Sequence, residues 1–290
     1  MVTRLVPAVA RAFDILELFL GDEEQLSLPE IVARTGLPRT TVFEIVGTLA
    51  ARNYLSRTVG HKDRFELGFM SFQLGTAYRW RSRLARVGQR VAEEVSSDCS
   101  ETVNIAVLDA RDVVYLCTVE GNQAVRIAVS IGRRLPAHCT ALGKVLLANL
   151  SNKELEELYP PGSEFVARTG HSITSSEKLF LELARVQQYG YSIERNESND
   201  GVSCLAAPIR DDHDRVIAAM SVTVPSHRFT TEEEARLSWM VRLGALRVSA
   251  MLGSVSSQAQ LKREYKAQHG NISNSSSESI IEKSETLQWF

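Results

Sequence analysis

The strongest local signals in this 290-residue chain lie in the stretch LSLPEIVARTGLPRTTVFEIVGTLAARNY, which begins at Leu26. Ser27 and Glu30 have the spacing of a capping box, so a helix is expected to begin at that point. Gly36 can adopt the left-handed conformation that ends a helix, and Pro38 suits the start of the next one. The sequence therefore predicts two helices joined by a tight turn.

A preceding helix and a following hairpin complete this predicted module. Apolar residues at helical spacing predict a first helix from Ala8 to about Leu20, with an inward face formed by Val9, Ala12, Phe13, Leu16 and Phe19. The helix after Pro38 would extend to about Arg52 and bury Val42, Ile45, Val46 and Leu49. Tyr54–Arg57 and Arg64–Leu67 then indicate a β-hairpin. Helices followed by such a hairpin are typical of a winged helix-turn-helix.

The helix after the turn opens with short polar and basic side chains, as a DNA-recognition helix requires. We expect its DNA contacts to come from Pro38, Arg39, Thr40, Thr41 and Phe43, and those of the hairpin from Arg57 and Lys62. From Arg39 to Ala92 the chain has ten lysines and arginines against three acids, a net charge of +7 within a chain of net charge −2. This asymmetry favours a polyanionic partner, double-stranded operator DNA, for the N-terminal segment. Without that partner, the same segment would be a packing module with a solvated basic face.

A long helical pattern without proline follows from Phe69 to about Ser96. Apolar residues recur every seven positions, interrupted by an arginine and a glycine, in the imperfect seam Met70, Leu74, Ala77, Arg81, Leu84, Gly88, Val91 and Val95. We expect this segment to link two domains and to help to pair two chains. A homodimer, or a dimer of dimers, would match the paired half-sites of an operator.

Beyond Ser97 the pattern changes to strands mixed with helices, which predicts an α+β domain built on one antiparallel sheet. Strands are expected at Thr102–Leu108, Val113–Val119, Val125–Ser130, Val202–Arg210 and Arg215–Val224. Helices are expected after Thr140, after Ser151 with Glu154, after Thr174 with Glu177, and from Thr231 to about Met251.

The last two predicted strands form a hairpin around Asp211–Asp214, and its expected register places polar side chains on one sheet face. Cys204 would lie opposite Ser221, and Val202 opposite Thr223. Cys204, Ser221 and Thr223 would then form a small polar patch between apolar neighbours, suited to a pocket wall. In the segment LPAHCTALGK, Thr140 is placed to cap a helix whose first N–H groups could bind a carboxylate.

Both halves of the chain resemble the IclR family of bacterial transcription regulators. The N-terminal similarity rests on AVARAFDILELF, on the two-helix stretch that begins at Leu26, and on RFELG; Glu44 stands where this pattern usually has a basic residue. The C-terminal similarity rests on LPAHCTALGK and on the stretch from Tyr191 to Thr230. The resemblance covers about residues 5–252. It implies a GAF-like domain that binds a small organic or aromatic acid as effector.

By motif position, the resemblance assigns effector contacts to Ala141, Gly143, Glu194, Cys204, Ser221 and Thr223, and the capped helix start adds Thr140. Position 194 is usually aspartate in this pattern. A glutamate that faces an acidic ligand must bond the ligand's hydroxyl, carry a proton, or turn away. The implied function is that of a ligand-responsive DNA-binding regulator, acting as repressor or activator.

The cysteines and histidines allow two alternative kinds of site. A cysteine-dependent enzyme would use His138 and Cys139, but no oxyanion loop or orienting acid accompanies them. A zinc site would recruit these two residues with Cys204, His213 or His227, at spacings that match no compact signature. A GAF-type sensor that does not bind DNA is the third alternative. We therefore expect no catalytic residue, no metal and no cofactor.

The expected domains are a winged helix-turn-helix over residues 1–68, a linker and dimerisation helix over 69–97, an effector domain over 98–253, and a tail over 254–290. The serine-rich tail lacks periodicity, so we expect it to be mostly disordered after a helical extension through Tyr265. The N-terminal segment is broken by charges and resembles neither a signal peptide nor a membrane span. The expected location is the cytoplasm.

Overall fold

The computed structural model describes residues 5–21, 23–58, 63–124, 127 and 129–269. It divides the chain into two compact units, Met1–Ser82 and Arg83–Phe290. Each unit has its own hydrophobic core. The expected α+β architecture, in which a helix-turn-helix region precedes an antiparallel sheet, is confirmed. Over the same residues, no helix is long and apolar enough to cross a membrane.

The first unit is a helix-turn-helix with a small antiparallel sheet. Its described elements are α1 (Pro7–Glu17), β1 (Leu26–Ser27), α2 (Leu28–Thr35), α3 (Arg39–Ala51), β2 (Leu55–Arg57), β3 (Arg64–Leu67) and α4 (Phe69–Arg81). The predicted capping box begins α2: the Glu30 N–H donates to Ser27 Oγ at 3.4 Å, and the Ser27 N–H donates to Glu30 Oε2 at 2.7 Å. Gly36 ends this helix with a φ of 66°. The hairpin strands β2 and β3 pair as predicted.

The predicted inward face of the first helix is partly wrong. Phe19 is buried and Leu16 packs against the core of the unit as predicted, and Ile15 is buried as well. Val9, however, is 52% and Phe13 57% exposed. Apolar residues lie on two sides of this helix, and periodicity alone cannot say which side faces the helix-turn-helix. The inward face of α3 is as predicted, since Val42, Val46 and Leu49 are buried and Ile45 packs against them.

The helical segment after the wing is divided where the sequence indicated one continuous helix. Ser82 ends α4 in an extended conformation, with a φ of −73° and a ψ of 111°, and α5 begins at Arg83 and ends at Cys99. The apolar seam is therefore interrupted. Val91 and Val95, which were expected in a seam between two chains, are buried against the sheet of their own unit.

The second unit is built on a six-stranded antiparallel sheet with the order β6-β5-β4-β9-β8-β7. Its strands are β4 (Thr102–Asp109), β5 (Asp112–Val119), β6 (Arg134–Pro136), β7 (Ser192–Arg195), β8 (Val202–Arg210) and β9 (Val216–Pro225). The strand expected at Val125–Ser130 is wrong for its described residues, Ile127, Val129 and Ser130; Val125, Arg126 and Ala128 lie outside the described part. On the side away from β4, β5 pairs with β6, which follows a turn at Gly132 with a φ of 84°.

Helices cover both faces of this sheet. α5 and α9 (Thr231–Leu252) pack on the face that carries Ile105, Leu205 and Val222. α6 (Ala141–Leu147) and α8 (Ser176–Tyr189) pack on the face that carries Ala106, Ala206 and Ala219. Small alanine side chains on this second face let α6 approach the strands closely. The Ser151 capping box begins α7 (Asn152–Leu158) as predicted, and the cap of α8 is Ser175 rather than Thr174.

The hairpin of β8 and β9 has a register two residues away from the predicted one. Cys204 pairs with Thr223, and Ala206 pairs with Ser221. The turn after Arg210 is longer than the sequence suggested, because Asp214 adopts a φ of 59° and a bulge follows it. A shift of two residues preserves the side of the sheet, so Cys204, Ser221 and Thr223 still share one face.

The chain continues after the second unit's sheet as a packed helix. α10 (Val255–His269) extends beyond the expected end at Tyr265 and lies against α9, with Leu261 buried among Leu243 and Ala250. The rest of the predicted disordered tail, residues 270–290, lies outside the described part.

Candidate DNA-binding and ligand-binding sites

The residues predicted to bind DNA lie around the start of α3. Pro38 precedes this helix with a φ of −56°, which fixes the direction in which the helix begins. Arg39 and Thr40 are exposed, Thr41 is half-buried, and the Phe43 ring is 63% exposed. A free polar surface at the start of a second helix is what contact with base edges and phosphates requires.

The wing strand lies beside the same helix. A groove of about 410 Å³ is lined by residues of α3 and of the wing, among them Arg39, Phe43 and Arg57. The Arg57 guanidinium lies 5.3 Å from the centre of the Phe65 ring, which orients this cation at the edge of the wing. The predicted contact at Lys62 falls outside the described residues.

The polar residues of the second unit form two rows across the sheet face that α6 covers. One row contains Glu194, Cys204, Thr223 and Thr102, each directly paired with the next across β7, β8, β9 and β4. The second row lies two residues away along each strand and extends onto β5. Its members, again each paired with the next, are Ser192, Ala206, Ser221, Asn104 and Thr118. Polar side chains are thus concentrated on a sheet face whose other residues are apolar.

Hydrogen bonds orient the side chains at the centre of these rows. Asn104 Nδ2 donates to Thr223 Oγ1 at 3.1 Å, and the Cys204 thiol donates to the same oxygen at 3.4 Å. Since the amide nitrogen of Asn104 is used in this way, its carbonyl oxygen points away from Thr223. Ser192 Oγ donates to the Ala141 carbonyl at 2.6 Å and ties the first turn of α6 to the sheet.

Several buried polar atoms of this face have no hydrogen-bond partner within the described part of the chain. They are Glu194 Oε2, Asn104 Oδ1 and Thr118 Oγ1. Buried polar atoms in folded proteins are nearly always paired, so a group of unpaired ones indicates a place where a ligand or water binds. Three such atoms on one face of one sheet are the clearest sign of a polar site in this unit.

Cys204 shows that there is space above the sheet. It lies on β8, between β7 and β9, and its neighbours Ser203, Leu205 and Ala206 are buried, yet its own side chain is partly accessible. Partial accessibility in the middle of an interior strand indicates space on the sheet face where that residue lies. We take this space, beside the two polar rows, as a candidate ligand site and call it the sheet-face pocket.

The Glu194 carboxylate is held firmly at one end of the sheet-face pocket. Its Oε1 accepts hydrogen bonds from the Glu197 N–H at 2.6 Å, the Ser198 N–H at 2.8 Å and Ser198 Oγ at 3.2 Å. Burial nevertheless raises the pKa of Glu194 above its usual value, against the effect of the backbone donors and of the nearby Cys204 thiol. Burial, followed by the neighbouring Glu194 charge, also raises the pKa of the Cys204 thiol, which therefore stays protonated.

A buried ion pair supports the loop that holds Glu194. Lys144 of α6 is only 1% exposed, and its Nζ lies 2.5 Å from Glu197 Oε1 and 3.5 Å from Glu182 Oε1. The same ammonium donates to the Ile193 carbonyl at 3.2 Å. Burial raises the pKa of Glu197, and the Lys144 charge opposes that rise. Lys144 thus holds the Ile193 carbonyl and the Glu197 side chain, which lie on either side of Glu194 in the sequence.

The first turn of α6 is held together by its own residues. Thr140 Oγ1 accepts the Gly143 N–H at 3.1 Å and so caps the helix as predicted. A Cβ on Gly143 would overlap the backbone of Ala137, so glycine is needed there for close packing. Thr140, Ala141 and Gly143 are all buried beside the sheet. Because Thr140 occupies the Gly143 N–H, that group is committed to the cap.

His138 and Cys139 have separate packing partners. The His138 ring packs 5.1 Å from Phe165 and 6.5 Å from Tyr159, centre to centre. Cys139 Sγ lies 3.5 Å from the Pro136 carbonyl, and burial raises its pKa to about 12. In the described part of the chain, no three His, Cys, Asp or Glu side chains are grouped to hold a metal ion.

The sequence reasoning missed three parts of this site. Asn104 received no attention, although a single amide between Val103 and Ile105 in an apolar strand is a usable signal. The strand β7, which carries Glu194, was not expected, because its four residues are too few for a clear alternation. The pairing of Lys144 with Glu197 joins residues that are far apart in sequence, and no local pattern shows it.

Comparisons with known proteins find matches for both parts of the chain. The family described as "IclR helix-turn-helix domain" matches residues 8–58, and "Bacterial transcriptional regulator IclR C-terminal" matches residues 76–250. The HTH-type transcriptional regulator KdgR of Dickeya chrysanthemi is 31% identical, over 86% of this chain and 80% of that protein.

Solved structures show the same likeness. An IclR transcriptional regulator from Alicyclobacillus acidocaldarius superposes with a TM-score of 0.78 at 25% identity, covering 86% of this chain and 100% of that one. An IclR homolog from Microbacterium hydrocarbonoxydans, complexed with 4-hydroxybenzoate, has a TM-score of 0.73 at 26% identity, covering 84% and 98% of the two chains. With the N-terminal match, the C-terminal match and a relative similar over most of its length, the chain belongs to the IclR family of bacterial transcriptional regulators.

Proposed function

We propose that this protein binds an operator through α3 and the wing, and that a small organic or aromatic acid in the sheet-face pocket changes that binding. The observation that carries the DNA half of the proposal is the exposed start of α3, where Arg39 lines the same groove as Arg57 and Thr40 is exposed beside it in the sequence. The ligand half is supported by the unpaired polar atoms on the sheet. Ligand binding would act by favouring one arrangement of the DNA-binding units over another.

Four effector contacts are proposed at the sheet-face pocket, from Glu194, Cys204, Ser221 and Thr223. Thr140, Ala141 and Gly143 would border the ligand through the backbone of the first turn of α6. The solved neighbour with bound 4-hydroxybenzoate supports an aromatic acid as one ligand class for this domain. We assign no catalytic role to the chain, since a thiol with a pKa raised to about 12 is a poor nucleophile at neutral pH.

We further propose that the functional unit is a homodimer, which can assemble into a dimer of dimers. An apolar groove of about 760 Å³ on the first unit is lined by Phe13, Phe69, Phe72 and Leu74, among others. Phe13, Phe69 and Phe72 are each more than half exposed. Large exposed apolar surfaces mark interfaces, and a second copy of the chain would place two recognition helices at paired half-sites.

In domain terms, residues 1–68 would bind DNA, residues 69–97 would link the two units and contribute to the dimer through α4, and residues 98–253 would bind the effector in the cytoplasm. The apolar groove lies on α1, α4 and the end of the wing, so we assign the dimer contact to these elements and not to α5.

The test is a binding titration with DNA. Full-length protein is titrated by fluorescence anisotropy against the DNA that flanks its own gene and against a random duplex, at several salt concentrations. We expect tight, sequence-selective binding with a steep dependence on salt. Equal and weak binding to both duplexes would instead support a GAF-type sensor that does not bind DNA.

Arg39→Ala tests the placement of α3 at the operator. Loss of a base contact should weaken specific binding by about 1 to 3 kcal/mol. Arg185→Ala is the matched control, because Arg185 is an exposed arginine of the second unit, with a side chain 74% exposed. If the two variants bind the operator equally well, Arg39 does not contact DNA.

A further inference from the structure

We infer that the sheet-face pocket selects ligands that carry a hydroxyl group and binds them with that hydroxyl against Glu194 and Asn104. The inference rests on the proposed function only in taking this pocket as the effector site. It goes further by naming the chemical group that the pocket recognises and the end of the ligand that lies against Glu194 and Asn104.

The unpaired atoms at this end of the pocket are hydrogen-bond acceptors. Three donors converge on Glu194 Oε1, so the carboxylate is fixed with Oε2 unpaired and buried. Asn104 donates its amide to Thr223, which leaves Oδ1 as the second unpaired acceptor. A ligand hydroxyl can donate to such an oxygen, whereas a carboxylate, aldehyde or keto oxygen cannot.

Hydroxyl side chains beside these acceptors supply the complementary donors. Thr223 Oγ1 already accepts from Asn104 Nδ2 and from the Cys204 thiol, so the Thr223 proton remains to be donated. Thr118 Oγ1 is buried and unpaired on the same row as Asn104. A hydroxyl both donates and accepts, and it is therefore the ligand group that satisfies both kinds of atom at once.

The charges around Glu194 disfavour a ligand that places its carboxylate, rather than its hydroxyl, at this end of the pocket. Glu194 and Glu197 lie together at this end, and the Lys144 ammonium is already bonded to Glu197. A ligand carboxylate placed against Glu194 would meet a like charge in a buried setting, which is unfavourable. The acidic end of a hydroxy acid would consequently point away from Glu194.

Glu194→Gln tests whether Oε2 accepts a hydrogen bond from a ligand hydroxyl, because the three donors at Oε1 determine the orientation of the new amide. Its carbonyl oxygen must accept those hydrogen bonds, so its NH₂ group takes the place of Oε2. The variant thus replaces the unpaired acceptor with a donor while keeping the shape of the side chain.

The probes are two matched sets, each with a hydroxyl, a hydrogen or a carbonyl at one position. They are 4-hydroxybenzoate, benzoate and 4-formylbenzoate, and lactate, propionate and pyruvate. Binding to the full chain is measured by calorimetry. In at least one set, the wild type should bind the hydroxylated member about tenfold or more tightly than its partners. In Glu194→Gln this preference should disappear, and the carbonyl member should bind best.

Glu182→Gln is the control variant. It removes a different carboxylate, which lies on α8 beside Lys144 and not on the sheet, so it should keep the wild-type preference. The inference is overturned if no hydroxylated probe binds, if neither set shows tighter binding of its hydroxylated member than of benzoate or propionate, or if Glu194→Gln binds with the wild-type preference. The wild-type comparison alone decides the matter should Glu194→Gln fail to fold.

The operator titration distinguishes failure of this inference from failure of the proposed function. Specific operator binding that responds to an unhydroxylated acid would leave the function standing and remove the hydroxyl requirement. A clear hydroxyl preference in a protein that binds random DNA as well as operator DNA would leave the hydroxyl requirement standing and remove the proposed function.

Discussion

Lys144 shows how a buried charge can organise a ligand site without touching the ligand. Its ammonium joins α6 to the Ile193 carbonyl and to Glu197, and Glu197 and Ser198 in turn hold Glu194 through their backbone N–H groups. A charge that is 1% exposed remains favourable only when it is paired and hydrogen-bonded. We therefore regard Lys144 as a positioning residue for the pocket.

Lys144→Met should destabilise the second unit in a pH-dependent way. Loss of one partner from a buried ion pair costs about 3 to 5 kcal/mol, because the other charge is left uncompensated. Burial raises the pKa of Glu197 from its usual 4.5, and Lys144 opposes this rise, so the variant raises it further. A raised pKa in the folded state gives stability that is present at low pH and lost as the pH rises through that pKa.

The deficit of Lys144→Met should accordingly be larger at about pH 7.5 than at about pH 5 in urea unfolding. The double variant Lys144→Met with Glu197→Gln is the control and should recover part of the loss at the higher pH. A deficit that is the same at both pH values would mean that Glu197 is not the group left unpaired.

At the scale of single residues, the sequence predicted those pocket residues whose position depends only on which face of the sheet a strand residue occupies. Cys204, Ser221 and Thr223 share a face in both the predicted and the observed register, because the two registers differ by two residues. The resemblance to a known family supplied Glu194. Asn104 could not be given a role from the sequence, since its partner Thr223 lies 119 residues away.

The first turn of α6 is the element on which the pocket depends most. Thr140 caps it, Ser192 bonds its Ala141 carbonyl, and Gly143 lets it lie against the Ala137 backbone. These contacts fix α6 over the sheet at the distance that leaves the pocket its shape.

Gly143→Ala should destabilise the second unit by about 2 kcal/mol or more, since the new methyl group has no room and α6 must move. Gly47→Ala, in the exposed middle of α3, is the matched control. No atom lies within 4 Å of its new Cβ, and alanine should stabilise that helix by about 0.5 to 1 kcal/mol. Thermal unfolding of both variants checks the pair, and equal effects would contradict the assigned packing of Gly143.

Elements with local chemical signals were predictable, and those set by distant contacts were not. The Ser27 capping box and the Gly36 stop define α2 in sequence and in structure. Ser82, which divides the linker helix, carries no signal that separates it from its neighbours. Val9 and Phe13 of α1 were expected to face inward but are exposed, because both sides of that helix are apolar and the choice depends on what covers each side.

At the scale of the whole molecule, the sequence predicted two functions and their order along the chain. Local patterns and family motifs were sufficient for that, because a helix-turn-helix and a capped helix beside a polar sheet are each encoded in short stretches. How occupancy of the second unit changes DNA binding by the first is a property of the assembled protein. Coupling energies between sites of this kind are typically about 1 to 3 kcal/mol, which corresponds to about 5- to 150-fold in affinity.

The most direct test of this coupling is an operator titration of wild type and Ser221→Leu, each with and without a hydroxylated acid that the wild type binds. Ser221 is 1% exposed and lies between Ala206 and Asn104, so leucine should fill the pocket at a cost of about 1 to 3 kcal/mol in stability. The account predicts that the ligand shifts the operator affinity of the wild type, whereas the variant binds the operator normally and does not respond. A full ligand response in Ser221→Leu, or none in the ligand-bound wild type, would contradict it.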